Sequence, residues 1–171
     1  MPIISPDLLH TIRAQYALPW HGIHGLSHWA RVRDTGLHLA LETGAKPAIV
    51  ELFAVLHDAR RRNEVVDPGH GRRGADLAAT LRGTLIHLAD PDFALLHTAC
   101  ADHTKGLTEA DITIQTCWDA DRLDLGRVGI VPDPSRLCTD AARKPAFQGW
   151  AYQRSVRSEG TTDLPALWKT A

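Results

Sequence analysis

The sequence predicts an all-α fold. Apolar residues recur with a helical period in most segments, and residues that favour helix starts and ends lie at the boundaries of these segments. No run alternates apolar and polar residues over the length of a typical β-strand, and no segment repeats at a fixed period. We therefore expect a bundle of helices joined by short loops.

The first two predicted helices have clear boundaries. Segment 5–17 begins with Ser5 as a candidate N-cap and Pro6 at the first helical position, as helix starts favour. Segment 25–44 has apolar side chains at a spacing close to 3.6 residues and ends at Gly44, a residue type that commonly ends helices. These two segments predict one short and one long amphipathic helix.

The next two segments predict a central helix and a glycine-bounded helix. Segment 46–61 has Pro47 in its first turn and is apolar enough to lie in the middle of a bundle. Segment 69–83 opens on glycine and closes at Gly83, which predicts a helix between these two positions.

The last two helices of the predicted bundle begin with acidic or hydroxyl residues. Segment 90–106 has Asp90 as a candidate cap, followed by proline. Segment 108–129 begins with Thr108 and Asp111, which resemble a capping box. Its ITI stretch is β-branched, but its flanks favour helix.

Beyond Gly129 the chain changes character, because Pro and Gly interrupt every apolar pattern. We expect residues 131–171 to form loops and short helices packed on the main bundle. The length of 171 residues then predicts one domain over 1–171, with its core at about 20–130.

Composition excludes several classes of function. A formal net charge of −1 gives no reason to expect binding to bulk nucleic acid or to an anionic membrane surface. The N-terminus has no basic and apolar signal pattern, and no segment is apolar enough to span a membrane. The three cysteines are odd in number and lack CxxC spacing, which fits a reducing compartment. These features predict a cytoplasmic location.

An ionisable pair, His57 and Asp58, follows directly on the apolar run of the predicted central helix. Burying an imidazole and a carboxylate there is costly unless something pairs with them. A metal ion is one such partner. Alternatively, His57 is a core imidazole and Asp58 is an ion-pair partner of Arg61 or Arg62.

Two other segments offer candidate metal ligands of the same types. His28 lies inside the amphipathic pattern of segment 25–44 and can face inward, whereas His21 and His24 precede the helix and are candidates for contacting ligands or substrate. Near the end of segment 108–129, three aspartates are candidates: Asp119, Asp121 and Asp124.

Taken in order, His28, the HD dipeptide at His57 and Asp58, and the ADRL stretch resemble the HD superfamily of metal-dependent phosphohydrolases. The resemblance covers about 20–130 and implies an HD-domain helical bundle with a metal site between central helices. It also implies that Asp121 is the last ligand, although the residues alone leave Asp119 and Asp124 open.

Two further histidines, His70 in HGRRGA and His103 in DHTKG, are similar to the two-metal branch of that superfamily. Alternatively, His70 caps a helix and His103 is favoured by a helix C-terminus. In the two-metal arrangement Asp58 bridges the ions. The implied ligands are His28, His57 and Asp121 for one metal, and His70 and His103 for the other. The remaining histidines are assigned to structure or surface: His10, His38, His87 and His97.

The resemblance implies a hydrolase that uses a metal-activated water on a small phosphorylated substrate, expected to be a nucleotide or another phosphoester or phosphoanhydride. Besides Asp58, we expect catalytic roles for three cations near the ligands: Arg61, Arg72 and Lys105. Arg60 and Arg62 flank the first of these.

The implied cofactor is one or two divalent ions. Fe or Mn is favoured, and Mg, Co, Ni and Zn are compatible with the ligand types. Two other functions share the pattern: a mixed-valent di-iron oxygenase of the same superfamily, and a degenerate HD module that binds a ligand or regulates. No oligomeric state follows from the sequence.

Overall fold

The structure is a computed structural model that describes residues 2–157 and 164–169. Within these ranges the chain forms eight α-helices and no β-strand, so the all-α prediction is confirmed. The helices are α1 (Pro6–Arg13), α2 (Leu26–Thr43), α3 (Pro47–Leu56), α4 (His70–Leu81), α5 (Asp90–Asp102), α6 (Ile112–Arg122), α7 (Asp140–Arg143) and α8 (Pro145–Val156). Short 3₁₀ helices cover Leu125–Val128, Pro134–Arg136 and Ala166–Trp168.

Helix α3 is the centre of the bundle. From Ile49 to Leu56 all its apolar side chains are buried, because α2, α5 and α6 pack around it and α4 contacts its end. The largest fully buried side chains around it include Trp29 of α2 and Trp118 of α6. The predicted central helix is therefore confirmed, and it delivers the HD dipeptide to the interior.

Several predicted helix ends are confirmed. The Ser5 hydroxyl accepts a hydrogen bond from the Leu8 main-chain N–H at 3.1 Å, which caps α1. Gly44 ends α2 with a φ of 74°, a conformation that favours glycine.

Two predicted caps differ from the structure. Helix α5 is capped by Ala89, and Asp90 is its first helical residue. Helix α6 is capped by Asp111 itself, whose carboxylate accepts from the Thr113 N–H at 2.8 Å. Thr108 lies three residues before this cap, and its main-chain carbonyl accepts a hydrogen bond from the Gln115 side chain at 2.9 Å. The capping-box interpretation was wrong because the acidic residue is the cap.

The C-terminal segment is more regular than the sequence suggested. Pro145 lies in the first turn of α8, where its fixed φ favours a helix, and α8 continues for 12 residues. This helix packs on the 3₁₀ turn Leu125–Val128, and Gly126 allows the close approach of Tyr152 and Ser155. Among the described residues, none of the helices is both long enough and apolar enough to cross a bilayer.

Candidate metal centre

Five elements bring the predicted ligands into one buried cluster. His28 lies in the first turn of α2 with its side chain fully buried, and Asp121 lies in the last turn of α6. His57 and His103 cap the C-terminal ends of α3 and α5, and His70 is the first residue of α4. Because α3, α4 and α5 end or begin here, loops at this end of the bundle leave the cluster open to solvent on one side.

The first half of the cluster is a pair of imidazoles that face each other. The Nε2 atoms of His28 and His57 are 3.1 Å apart. Asp121 Oδ1 lies 3.4 Å from Nε2 of His28 and 3.6 Å from Nε2 of His57. Asp58 Oδ2 lies 3.8 Å from each of the same two nitrogen atoms.

The second half repeats this arrangement on the other side of Asp58. The Nε2 atoms of His70 and His103 are 2.9 Å apart. The second carboxylate oxygen, Asp58 Oδ1, lies 3.0 Å from Nε2 of His70 and 3.8 Å from that of His103. Asp58 thus directs one carboxylate oxygen toward each pair of imidazoles.

The other ring nitrogen of each imidazole fixes its tautomer. Each Nδ1 faces an oxygen that can only accept a hydrogen bond, so Nδ1 carries the proton and Nε2 of the neutral ring has a lone pair. For three of them the acceptor is a main-chain carbonyl: His57 donates to Phe53, His103 to Cys100 and His70 to Asp67. His28 donates to the Asp124 carboxylate at 2.7 Å.

These hydrogen bonds leave four Nε2 lone pairs facing the interior of the cluster, an arrangement that suits a metal ion. Two lone pairs facing each other at about 3 Å repel unless a positive charge lies near both. The lone pair on each Nε2 atom is likewise repelled by the negative charge of the Asp58 carboxylate, whose oxygens lie 3.0 to 3.8 Å away. Imidazole nitrogens and carboxylate oxygens, oriented by hydrogen bonds on their far sides, are the ligands that divalent transition ions prefer. The residues present therefore fit a divalent metal site.

The pKa values of the cluster follow the same logic. Burial lowers the pKa of His28. Burial also disfavours a charged ring at His57, but the carboxylates of Asp58 and Asp121 outweigh it and raise the pKa of His57 above its ordinary value. The cluster therefore attracts positive charge. Since protons compete with metal for the same lone pairs, metal affinity increases with pH.

Carboxylates that would be costly to bury are held in the ionised form. Burial alone would raise the pKa of Asp58, but the positive charge that the neighbouring imidazoles carry when protonated, that of His57 first, holds it well below its usual range. The pKa of Asp121 is likewise held low against the effect of burial, by His28 and His57, whose protonated rings would donate to it.

The three candidate aspartates have different positions. Asp119 accepts hydrogen bonds from the main-chain N–H groups of Cys138 and Thr139 at 2.7 and 2.8 Å, so it ties the C-terminal segment to α6. Asp124 lies behind His28 and accepts from Arg31 Nε at 2.7 Å. Of the three, Asp121 has its carboxylate at the Nε2 atoms of the cluster.

We predict that Asp124→Asn weakens metal binding without removing a ligand. The asparagine side chain has one oxygen and one NH₂ group, so it cannot accept hydrogen bonds from both His28 and Arg31 as the carboxylate does. The ring of His28 is then less firmly oriented. The metal dissociation constant should rise about 10- to 100-fold, as for other partners of ligating histidines. Competition with a chromophoric chelator measures it. An unchanged constant would contradict the orienting role of Asp124.

His24 also belongs to the site. Its Nδ1 lies 3.1 Å from Asp58 Oδ2, and its Nε2 lies 3.1 Å from the Glu64 carbonyl. This ring therefore ties the Asp58 carboxylate to the loop that follows α3. His21 is exposed, in contrast.

A cavity of about 410 Å³ opens above the cluster. Besides the ligands, its walls include His24, Glu64, Val65, Thr104, Leu125 and Val128, and two guanidinium groups, Arg61 and Arg127. Arg61 Nη1 lies 3.8 Å from Asp58 Oδ1 and 3.3 Å from Nε2 of His70. Arg127 was missed by sequence reasoning; its only local signal is a position three residues after Asp124.

The structure does not bring Arg72 or Lys105 to this cavity. The Arg72 side chain is 69% exposed and pairs with Asp76 at 3.2 Å. Two residues along a helix turn the side chain about 200°, so Arg72 points away when His70 points inward. The Lys105 side chain is 60% exposed and pairs with Asp102 at 2.8 Å. Closeness in sequence to a ligand was a misleading criterion for both.

Comparison with known proteins agrees with this architecture. The structure is similar to the crystal structure of a predicted HD superfamily hydrolase from an uncultured Thermotogales bacterium, with a TM-score of 0.66 and 24% identity. The match covers 88% of this chain and 86% of that one. The chain has an HD-domain fold. No family model matches the sequence, and a search of the curated proteins also finds no match. The expected HD-type helical bundle is confirmed, and its histidines and aspartates are compatible with a divalent metal site.

Proposed function

We propose that this HD-fold protein is a metal-dependent phosphohydrolase that acts on a small phosphoester or phosphoanhydride of about nucleotide size. The observation that carries the proposal is the double imidazole cluster around Asp58, at the floor of a cavity that also contains Arg61 and Arg127. When bound, divalent ions at such a centre acidify water and offset charge on phosphoryl oxygens. Iron or manganese fits the nitrogen and oxygen donors.

The charge of the cavity supports an anionic substrate. Its walls carry three carboxylates, on Asp58, Glu64 and Asp121, and two guanidinium groups, which leave a formal charge of −1. Two divalent ions would reverse this to a formal charge of +3. A site with this charge favours a substrate with a phosphate dianion over a neutral one.

The two arginines are well placed to orient that substrate. The Arg127 side chain is 7% exposed, and its Nε and Nη1 donate to the carbonyls of Ile23 and Asp124 at 2.8 and 2.9 Å. These contacts hold the guanidinium rigid, and its Nη2 forms no hydrogen bond within the described residues. A rigid donor in a cavity wall binds a phosphoryl oxygen at little entropic cost. Arg61 is held in a similar way by the Asn63 carbonyl.

Phosphate release from a panel of phosphoesters tests the proposed function. The panel contains 4-nitrophenyl phosphate, nucleoside 5′-monophosphates and nucleoside diphosphates, each assayed with Mn²⁺ or Fe²⁺ in air and without oxygen. We expect metal-dependent release that is equal in both atmospheres. Turnover that requires oxygen would instead indicate the di-iron oxygenase, and metal binding without any turnover would indicate a binding module.

Arg127→Ala is predicted to lower kcat/KM for the best phosphoester. The loss should be about 10- to 100-fold, the size expected for a hydrogen bond to a charged group. Arg72→Ala is the matched control, because it removes an equal charge from an exposed position, and it should behave as the wild type. Equal kcat/KM in wild type and Arg127→Ala would exclude a role of Arg127 in substrate binding.

A further inference from the structure

A second cavity, of about 520 Å³, adjoins the one above the metal centre. His103, Thr104 and Leu125 line both cavities, so the two spaces meet at these side chains. The far wall of the second cavity comes from the segment between α6 and α7, through Pro132, Asp133, Arg136 and Leu137. A substrate held at the metal centre can therefore extend into this space.

The second cavity has an excess of positive charge. Arg122 reaches it from α6 and donates to the carbonyls of Leu107 and Arg136 at 2.6 and 2.7 Å. No carboxylate of the described residues forms an ion pair with Arg122. The one carboxylate in the wall, Asp133, accepts hydrogen bonds from the Ser135 N–H and hydroxyl at 2.9 and 2.8 Å. These bonds lower the pKa of Asp133 and keep it ionised, so two guanidinium groups face a single carboxylate.

Arg136 is the cation of this cavity that remains available to a ligand. It ends the 3₁₀ turn Pro134–Arg136, which the Asp133 carboxylate caps at the N–H of Ser135. Its main chain is fixed by hydrogen bonds to Asp133 and Arg122, but its exposed guanidinium forms no hydrogen bond with the described residues. Arg122, in contrast, is committed to main-chain acceptors and lies over the Trp118 ring at 5.7 Å.

We propose that the substrate carries a second anionic group, a phosphate or a carboxylate, and that Arg136 binds it in the second cavity. Leu125, Pro132 and Leu137 supply apolar wall in the second cavity and contact the linking part of the substrate. The proposal rests on the proposed function for the identity of the first group. It also gives the segment that follows α6 a role in substrate selection.

Two sets of probes test the proposal. The first set is alkane-1,ω-bisphosphates with two to eight carbons and the matching alkyl monophosphates, assayed for phosphate release. The second set is the corresponding bisphosphonates, ω-carboxyalkyl phosphonates and monophosphonates, which cannot be hydrolysed. Their dissociation constants are measured by calorimetry with the metal-loaded full chain. Wild type is compared with Arg136→Ala, Arg136→Lys and the control Arg72→Ala.

We expect one chain length at which the second anion tightens binding about tenfold, as one charge-assisted hydrogen-bonded pair would give. Arg136→Ala should abolish this preference and leave the monophosphonate unchanged, Arg136→Lys should keep part of it, and Arg72→Ala should keep all of it. Preference for the bisphosphonate over the carboxyalkyl phosphonate identifies a phosphate as the second group, and the reverse identifies a carboxylate.

The outcomes separate this proposal from the proposed function. An Arg136-dependent preference in binding without phosphate release would overturn the hydrolase and retain the second anion site. Phosphate release with no preference for a second anion at any chain length would retain the hydrolase and overturn the site. A preference that survives in Arg136→Ala, or an equal loss for monophosphonates, would also overturn it.

Discussion

Asp58→Asn is expected to eliminate phosphoester hydrolysis and most of the bound metal. The substitution keeps the shape of the side chain but removes the charge that both imidazole pairs share, at 3.0 to 3.8 Å from their Nε2 atoms. The loss in kcat/KM should exceed about 100-fold, which is the upper range for residues that only orient metal ligands. Phosphate release and elemental analysis of the same preparation measure both effects.

Asp119→Asn is the matched control for this experiment. Asp119 is an equally buried carboxylate, but it holds the main chain of Cys138 and Thr139 and not the cluster. We expect it to lower the free energy of unfolding by about 1–3 kcal/mol, since an amide cannot accept all of these bonds. Its metal content should equal that of the wild type. Equal metal loss in the two variants would show that Asp58 acts only through the fold.

Gly74→Ala is expected to disrupt the contact between α4 and the end of α3. A Cβ atom at Gly74 would lie 2.3 Å from the Leu56 carbonyl oxygen and 3.1 Å from that of His57. Main-chain carbonyls in a buried helix end cannot move as a flexible side chain can, so α4 must shift. The free energy of unfolding should fall by about 3 kcal/mol, in the upper range for overpacking. Because α4 carries His70, metal content should also fall.

Gly149→Ala controls for the loss of a glycine from a helix. Gly149 lies within α8, and a Cβ atom there would have no heavy atom within 4 Å. Alanine at an exposed helical site should raise the free energy of unfolding by about 0.5–1 kcal/mol. Chemical denaturation of both variants measures the contrast. If Gly74→Ala matched the stability and metal content of the wild type, the tight α3–α4 contact would not be needed to position His70.

The core of the fold was predictable because the helices from α1 to α6 carry their own signals. Apolar residues at helical spacing defined α2 and α3, and Ser5 and Gly44 marked ends that the structure confirms. The start of α6 was assigned wrongly, because Thr108 and Asp111 both satisfy a capping pattern and only the path of the chain decides between them. Beyond residue 130 the sequence predicts only loops and short helices and does not locate the 12-residue helix α8, because a proline signals an interruption as readily as a helix start.

The metal cluster was predictable in part, for a different reason. An order of histidines and aspartates can be compared with a known pattern, and the structure brings all six of those residues to one place. The cavity walls have no such pattern. Arg127 reaches the site through a contact with a residue far away in sequence, whereas Arg72, near a ligand in sequence, points outward. The sequence offers both His21 and His24 as contacts of the ligands, and only the fold shows that His24 is the one that reaches Asp58.

Metal content per chain tests the central claim most directly. The protein is purified without chelator or metal-affinity resin, supplied with Mn²⁺ or Fe²⁺, desalted and subjected to elemental analysis. We predict about two ions per chain for the wild type, from the two triads of ligands that share Asp58, and about one for His70→Ala. A wild-type chain that binds no ion, or one whose metal content is unaffected by His70→Ala, would contradict the account.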